Sequence, residues 1–153
     1  MKKKTKASLM RILKRKLDKK FSEYIRLRDG FTCVLCGNKE RPQCGHVFSR
    51  SSHNTRWDEA NSFCQCSGCN MRHEFDPYPY NNWFIEKFGK DAWDAMHRKW
   101  NTVRQWSLQE LEDEVAKIDI KIKELSALRS STAEHSICNT DVPSSSLGEG
   151  SSV

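Results

Sequence analysis

Cys33-Val34-Leu35-Cys36 and Cys66-Ser67-Gly68-Cys69 are the stretches whose reading decides the fold of this chain, two CxxC knuckles separated by 29 residues. Two such hooks present four thiolates that close tetrahedrally on one Zn²⁺ ion. A closed four-sulfur site has no open coordination position, so the zinc is expected to be structural and any chemistry must come from other residues. Cys44 and Cys64 lie near the knuckles but complete no CxxC pair, and neither is expected to ligate. The chain is 153 residues long, and its 37% hydrophobic content is low for a globular domain, so part of it is expected to pack no core. A core this small draws folding energy from a metal staple.

The compartment supports the same reading. No stretch approaches the roughly 20 apolar residues of a membrane span. The apolar run Leu9-Met10-Arg11-Ile12-Leu13 is too short for a secretory signal. A cytoplasmic protein is expected. There, seven cysteines call for metal rather than a disulfide framework.

Charge is unevenly placed. Residues 1–20 carry ten Lys or Arg against Asp18 alone, whereas the whole chain is only +6. A dense basic segment on a nearly neutral body gathers affinity for a polyanion by counterion release. Residues 1–13 are read as a basic arm, with residues 1–8 disordered. Leu9, Ile12, Leu13, Leu17, Phe21, Tyr24 and Ile25 recur at helical spacing up to about Arg28, where Asp29-Gly30 makes a turn. Phe31–Gly37 is read as a short hairpin, residues 41–50 as extended, 51–60 as a polar loop, and the segment from Asn61 as a loop that turns helical after Cys66. Helices are expected from about Tyr80 to Phe88 and from Asp91 to about Arg98, with the tryptophans as core. Ser107-Leu108-Gln109-Glu110 is a capping box opening another helix. Its apolar seam, Leu111, Val115, Ile118, Ile122 and Leu125, either docks on its own domain or pairs two subunits through residues 108–128. Residues 130–153 hold eight serines and few large apolar groups, and are read as a disordered tail in which Cys138 has no function. The organisation is then a basic arm (1–13), a zinc-knuckle domain (14–106), an amphipathic helix (107–129) and the tail (130–153).

Between and after the knuckles stand Gly45-His46-Val47-Phe48-Ser49-Arg50, then Thr55-Arg56-Trp57-Asp58-Glu59-Ala60-Asn61, then Gln65-Cys66 and Cys69-Asn70. This order resembles an HNH (ββα-metal) nuclease core and, more narrowly, the phage NinG/Rap recombination-protein family. Lys16-Leu17-Asp18-Lys19, Phe21–Arg28 and Tyr80 with Ile85–Gly89 extend the resemblance over about residues 14–98. The fold it implies is a small α+β domain: a zinc-stapled ββα-metal core wrapped by helices. The implied function is metal-dependent endonuclease cleavage of DNA, on branched recombination intermediates such as a D-loop or Holliday junction. In that role His46 takes the proton of the attacking water, Asn61 orients the imidazole through its side-chain carbonyl, and Asn70 ligates a catalytic Mg²⁺ or Mn²⁺. Gly45 stands where many such nucleases place a metal ligand, which leaves His73, Glu74 and Asp76 as candidates for the second one; His73 is the first choice. Glu74-Phe75 departs from the Asn-Gly often found in the family. Arg50 and Arg56 are the phosphate-clamp candidates, with Lys14, Arg15 and Lys16 as further DNA contacts. Two alternatives share most of these features: a non-catalytic zinc module binding DNA or protein, and an HNH nicking nuclease of DNA packaging.

Overall fold

In a computed structural model, the described residues are 5–137, with side chains described through 131. The first helix, α1, spans Lys6–Arg28, capped by Thr5, whose hydroxyl accepts from the Ser8 amide at 3.3 Å. It therefore begins inside the segment expected to be a disordered arm, and the basic residues from Lys6 onward lie on a helix. Gly30 ends the turn after α1 with φ +63°, a conformation open to glycine at little cost.

The segment Phe31–Gly37 is not a hairpin but a succession of turns. Cys33 N–H donates to Asn38 O and Gly37 N–H to Cys33 O, at 2.8 and 2.9 Å, so the chain folds back within the knuckle rather than pairing as strands. The sheet is formed elsewhere. Strand β1, Pro42–His46, pairs antiparallel with β2, Ser62–Cys66, in the register Pro42↔Cys66 to His46↔Ser62. A single 3₁₀ turn at Glu59–Asn61 leads into β2. The β2 segment reads as a loop because Ser-Phe-Cys-Gln-Cys has no clean apolar alternation. All five of its positions are nevertheless buried, because both faces of the sheet are covered.

Helix α2, Ser67–Phe75, follows at once, with the Cys66 side chain accepting from the Cys69 amide at its start. Then come α3, Tyr78–Phe88, and α4, Lys90–Trp100, hinged at Gly89 with φ +89°. The capping box is present: Ser107 N–H donates to Glu110 at 2.7 Å and Glu110 N–H to the Ser107 hydroxyl at 3.2 Å. It opens α5, which runs Leu108–Ile137 and so extends eight residues into the segment expected to be a disordered tail. There Ser130 and Ser131 turn their hydroxyls back to Ser126 O and Leu128 O at 3.0 and 2.8 Å, so these serines do not interrupt the helix. The rest of the expected tail, 138–153 with Cys138, and residues 1–4 lie outside the described residues.

Two apolar clusters flank the sheet. One joins Leu17, Phe21, Tyr24 and Ile25 of α1 to Leu111, Val115 and Ile118 of α5. Lys20 pairs with Asp119, and Arg129 donates to Leu27 O, so the contacts advance together and the two helices run parallel. The seam is thus used within the chain. Leu111, Val115 and Ile118 are buried against α1, which is the first of the two uses expected of the seam. The other cluster holds Val47, Phe48, Phe63, Tyr80, Phe84 and Met96, with Trp83, Trp93 and Trp100 packed around it. Trp106 packs on the first cluster, as does Trp57, so the four tryptophans read as core by their spacing, Trp83, Trp93, Trp100 and Trp106, all pack partly buried against the two clusters.

Candidate functional site

The knuckles meet. The Sγ atoms of Cys33, Cys36, Cys66 and Cys69 all lie within 4.8 Å of one another. Cys36 Sγ stands 3.7 Å from that of Cys66 and 3.6 Å from that of Cys69. A tetrahedral zinc with bonds of about 2.3 Å requires sulfurs about 3.8 Å apart, so the donor set fits a structural zinc in both chemistry and spacing. Burial pushes the Cys33 thiol up, but hydrogen bonds from the backbone of Cys66, Cys36 and Leu35 outweigh it and bring it down to about 7. Backbone N–H groups aimed at sulfur are what a thiolate ligand needs. Cys44 and Cys64 stay outside this cluster, paired across the two strands, and burial raises their thiols to about 12 and about 11. Neither is a thiolate at neutral pH.

A second group of residues converges at the other end of the sheet. A cleft of about 500 Å³ is lined by Cys44, His46, Ser49, Arg50, Asn70, His73 and Glu74. His46 enters from the last position of β1, and Asn70, His73 and Glu74 come from α2, at the helical spacings that put one face toward the strand. The zinc cluster sits at the junction of β2 and α2, so closing the knuckles also fixes the helix that carries three of the cleft's polar residues.

The His46 ring is defined by one bond, from Nε2 to the backbone oxygen of Arg56 at 2.9 Å. A carbonyl can only accept, so Nε2 carries the proton and Nδ1 of the neutral ring is the acceptor. Burial lowers the His46 pKa below its ordinary 6.5, and the charges of Arg50 and Arg56 lower it further, against the opposing pull of the Arg56 backbone bond. The ring is therefore neutral at pH 7.

The Asn61 amide is hydrogen-bonded to the loop and not to His46. Its Oδ1 accepts from Phe48 N–H at 2.8 Å, and its Nδ2 donates to Phe48 O and Thr55 O at 2.9 and 3.1 Å. The fully buried amide pins the loop between the strands, and the orienting carbonyl expected of Asn61 belongs to the Arg56 backbone instead. Asn70 lines the cleft with its Nδ2 donating to Gln43 Oε1 at 2.8 Å, which leaves Oδ1 as its donor atom for a ligand. His73 lines the cleft too; its Nδ1 is buried with no hydrogen bond of normal geometry among the described residues, and its ring packs edge-on against Tyr80. Burial lowers its pKa, so it is a neutral donor. Asp76 does not line this cleft, whereas Glu74 does.

Arg50 is exposed at the cleft mouth. The Arg56 guanidinium, expected as a second phosphate clamp, is held by both oxygens of Asp18, at 2.8 and 2.7 Å, so its charge is already met within the chain. Lys14 and Arg15 line a neighbouring cavity with Arg11, Asp18 and Arg56, and Lys16 is exposed on α1 outside that cavity. Asp18, Gln43 and Tyr80 were legible only as parts of the lead-in helix, the first strand and the helix after the prolines. Nothing local to them announces a part in the site.

Gly45, the residue before His46, is explained by Gln65. A Cβ there would lie 1.9 Å from the Oε1 of the fully buried Gln65 and 2.6 Å from its Cδ. A side chain at this position therefore requires the Gln65 side chain to move aside. Gly45→Ala is expected to destabilise the fold by about 1–3 kcal/mol through overpacking, with Gly45→Ala/Gln65→Ala recovering part of the loss in chemical denaturation.

Among the described residues no helix is long and apolar enough to cross a membrane. No solved structure matches the chain. The curated relatives include Protein ninG of Escherichia phage 933W, 32% identical over 114 residues that cover 72% of this chain and 56% of that protein. Protein ninG of Escherichia phage lambda is 30% identical over the same length, covering 72% of this chain and 55% of that one. The chain thus spans about half the length of the curated relatives it matches. The family model described as Bacteriophage Lambda NinG protein matches residues 1–127, nearly the whole described fold, and the chain belongs to the NinG family.

Proposed function

We propose that this NinG-family chain is a metal-dependent DNA endonuclease of the HNH type acting on branched recombination intermediates. The observation that carries the reading is the convergence of His46 with Asn70, His73 and Glu74 on one cleft, with Arg50 at its mouth. A neutral imidazole with its Nε2 proton held by a backbone carbonyl is arranged to accept a proton at Nδ1. His46 takes the proton of a water as that water attacks phosphorus. Asn70 Oδ1, His73 and Glu74 are the residues that would hold a Mg²⁺ or Mn²⁺ ion, and such an ion supplies stabilisation of the negative charge on the phosphorane and the leaving oxygen. Arg50, Lys14 and Arg15, with Lys16 further along α1, bind the phosphate backbone, which positions DNA without reading its sequence.

The test is cleavage of labelled four-way junction, D-loop and linear duplex DNA with Mg²⁺ or Mn²⁺. Cutting of the branched substrates with linear duplex spared is the expected result. Equal cutting of linear duplex removes the branch preference and leaves a general nicking nuclease. Binding without cutting in either metal makes the chain a non-catalytic zinc module.

The pH profile follows from the ring's environment. With the unprotonated base as the active form, kcat/KM rises with pH through the His46 pKa and levels off above it. Because burial and the two arginines lower that pKa, the half-maximal rate falls below the ordinary histidine value of 6.5. A half-maximal pH above that value would assign the base to another group.

A further inference from the structure

We propose that Asp18 of α1 is a positioning residue for His46, acting through the Arg56 backbone carbonyl. Three consecutive loop residues are tied down around that carbonyl. Thr55 is held at its backbone oxygen by Asn61 Nδ2, at 3.1 Å. Arg56 is held by its side chain, Nε and Nη2 donating to the two Asp18 oxygens at 2.8 and 2.7 Å. Trp57 is held by its indole Nε1, which donates to Asp18 Oδ1 at 2.9 Å. The carbonyl between these anchors, Arg56 O, receives the His46 Nε2 proton. One carboxylate therefore grips both sides of the peptide that chooses the His46 tautomer.

Residues between β1 and the 3₁₀ turn form no helix or strand but a run of turns, and Asp58 N–H donates to Thr55 O at 3.2 Å across a turn whose central residues are Arg56 and Trp57. That bond closes the ends of the turn, whereas the peptide at its centre can still face either way, so the direction of the Arg56 carbonyl depends on the side-chain bonds to Asp18. Asp18 itself is set by α1, one residue after the fully buried Leu17. Burial works against its ionised form, but the bonds and charge of Arg56 and the bond from Trp57 hold it below the ordinary carboxylate range. The Arg56 guanidinium also lies 5.5 Å over the Trp57 ring, which closes the unit. Loss of the carboxylate frees the loop to turn the carbonyl away, and both ring tautomers of His46 then become populated. The catalytic consequence rests on the nuclease reading above; the structural one does not.

The experiment is long-range ¹H–¹⁵N NMR of the histidine rings in the full zinc-loaded chain above neutral pH, with His46 assigned by His46→Gln, alongside steady-state cleavage. Wild type is expected to show His46 as the Nε2–H tautomer alone. Asp18→Asn, nearly equal in volume, is expected to show both tautomers and to lower kcat about 10- to 100-fold with KM for DNA little changed. Asp18→Glu should restore most of the single tautomer and of kcat. If Asp18→Asn does not fold, Arg56→Gln removes the same ion pair from the loop side and carries the same readouts. A folded variant lacking the ion pair that keeps the pure Nε2–H tautomer overturns the proposal. A wild type that cuts no DNA overturns the nuclease reading instead, and the tautomer comparison still decides the role of Asp18.

Discussion

Cys66→Ala is expected to abolish zinc binding and, with it, the cooperative folding of the sheet and α2. Cys66 contributes its Sγ to the four-sulfur cluster, ends β2 opposite Pro42, and accepts the Cys69 amide at the start of α2. Removing it leaves three thiols without a closed site. A structural zinc contributes about 10–16 kcal/mol of apparent binding energy, against a net stability of about 5–15 kcal/mol for a whole domain. The loss therefore exceeds what the second apolar cluster can offset. The α1–α5 pairing has its own apolar contacts and does not touch the metal, so part of the helical signal is expected to remain. Elemental analysis should give one zinc per wild-type chain and none in the variant, and the thermal transition followed by near-ultraviolet circular dichroism should disappear. A strong chelator applied to wild type should do the same. A zinc-free chain that still melts sharply near the wild-type temperature would show four packed thiols rather than a metal staple.

His46→Ala carries the second large effect. Removing a general base lowers kcat by about 10²–10⁴-fold, whereas the lost bond to Arg56 O costs only about 1 kcal/mol of stability. The half-buried ring packs 6.4 Å from Phe21, so a small further packing loss is expected. His46→Gln separates the two contributions, because its amide can still donate to the Arg56 carbonyl but cannot act as a base. Both variants should retain zinc, bind junction DNA as wild type does, and fail to cut it. Either variant cutting at the wild-type rate would remove His46 from the chemistry.

These two sites differ in how far the chain announced them. The knuckles were legible because a CxxC spacing is itself the geometry: two sulfurs three residues apart in a tight turn face one point whatever the rest of the fold does. The capping box at Ser107 and Glu110 and the α5 seam were legible for the same reason, since their contacts lie within a turn or two of helix. What covers the seam was not. Leu111, Val115 and Ile118 would fit a second copy as well as α1, and only the parallel docking of α1 shows them covered within the chain.

The strand β2 was missed because its five residues are buried on both faces, which erases the alternation that marks a half-exposed strand. The end of α5 was missed because serine content reads as disorder, whereas serine hydroxyls bonded back to the preceding turn leave a helix intact. The hydrogen bonds of Asn61 were not legible either. Asn61 has the right chemistry to orient an imidazole, yet it is 15 residues from His46 in sequence and its amide meets three backbone groups of the loop instead.

By itself the sequence determined the two cysteine hooks, the helix starts and the residue types available for chemistry, because each depends on neighbours within a few positions. Tertiary structure alone decided which nitrogen of His46 carries the proton, that Arg56 is paired with Asp18, and that the Gln65 side chain fills the space a Cβ at Gly45 would take. Those outcomes depend on contacts between residues as far apart as Asp18 and Arg56, and such contacts exist only once α1 has packed against the loop that the two strands hold.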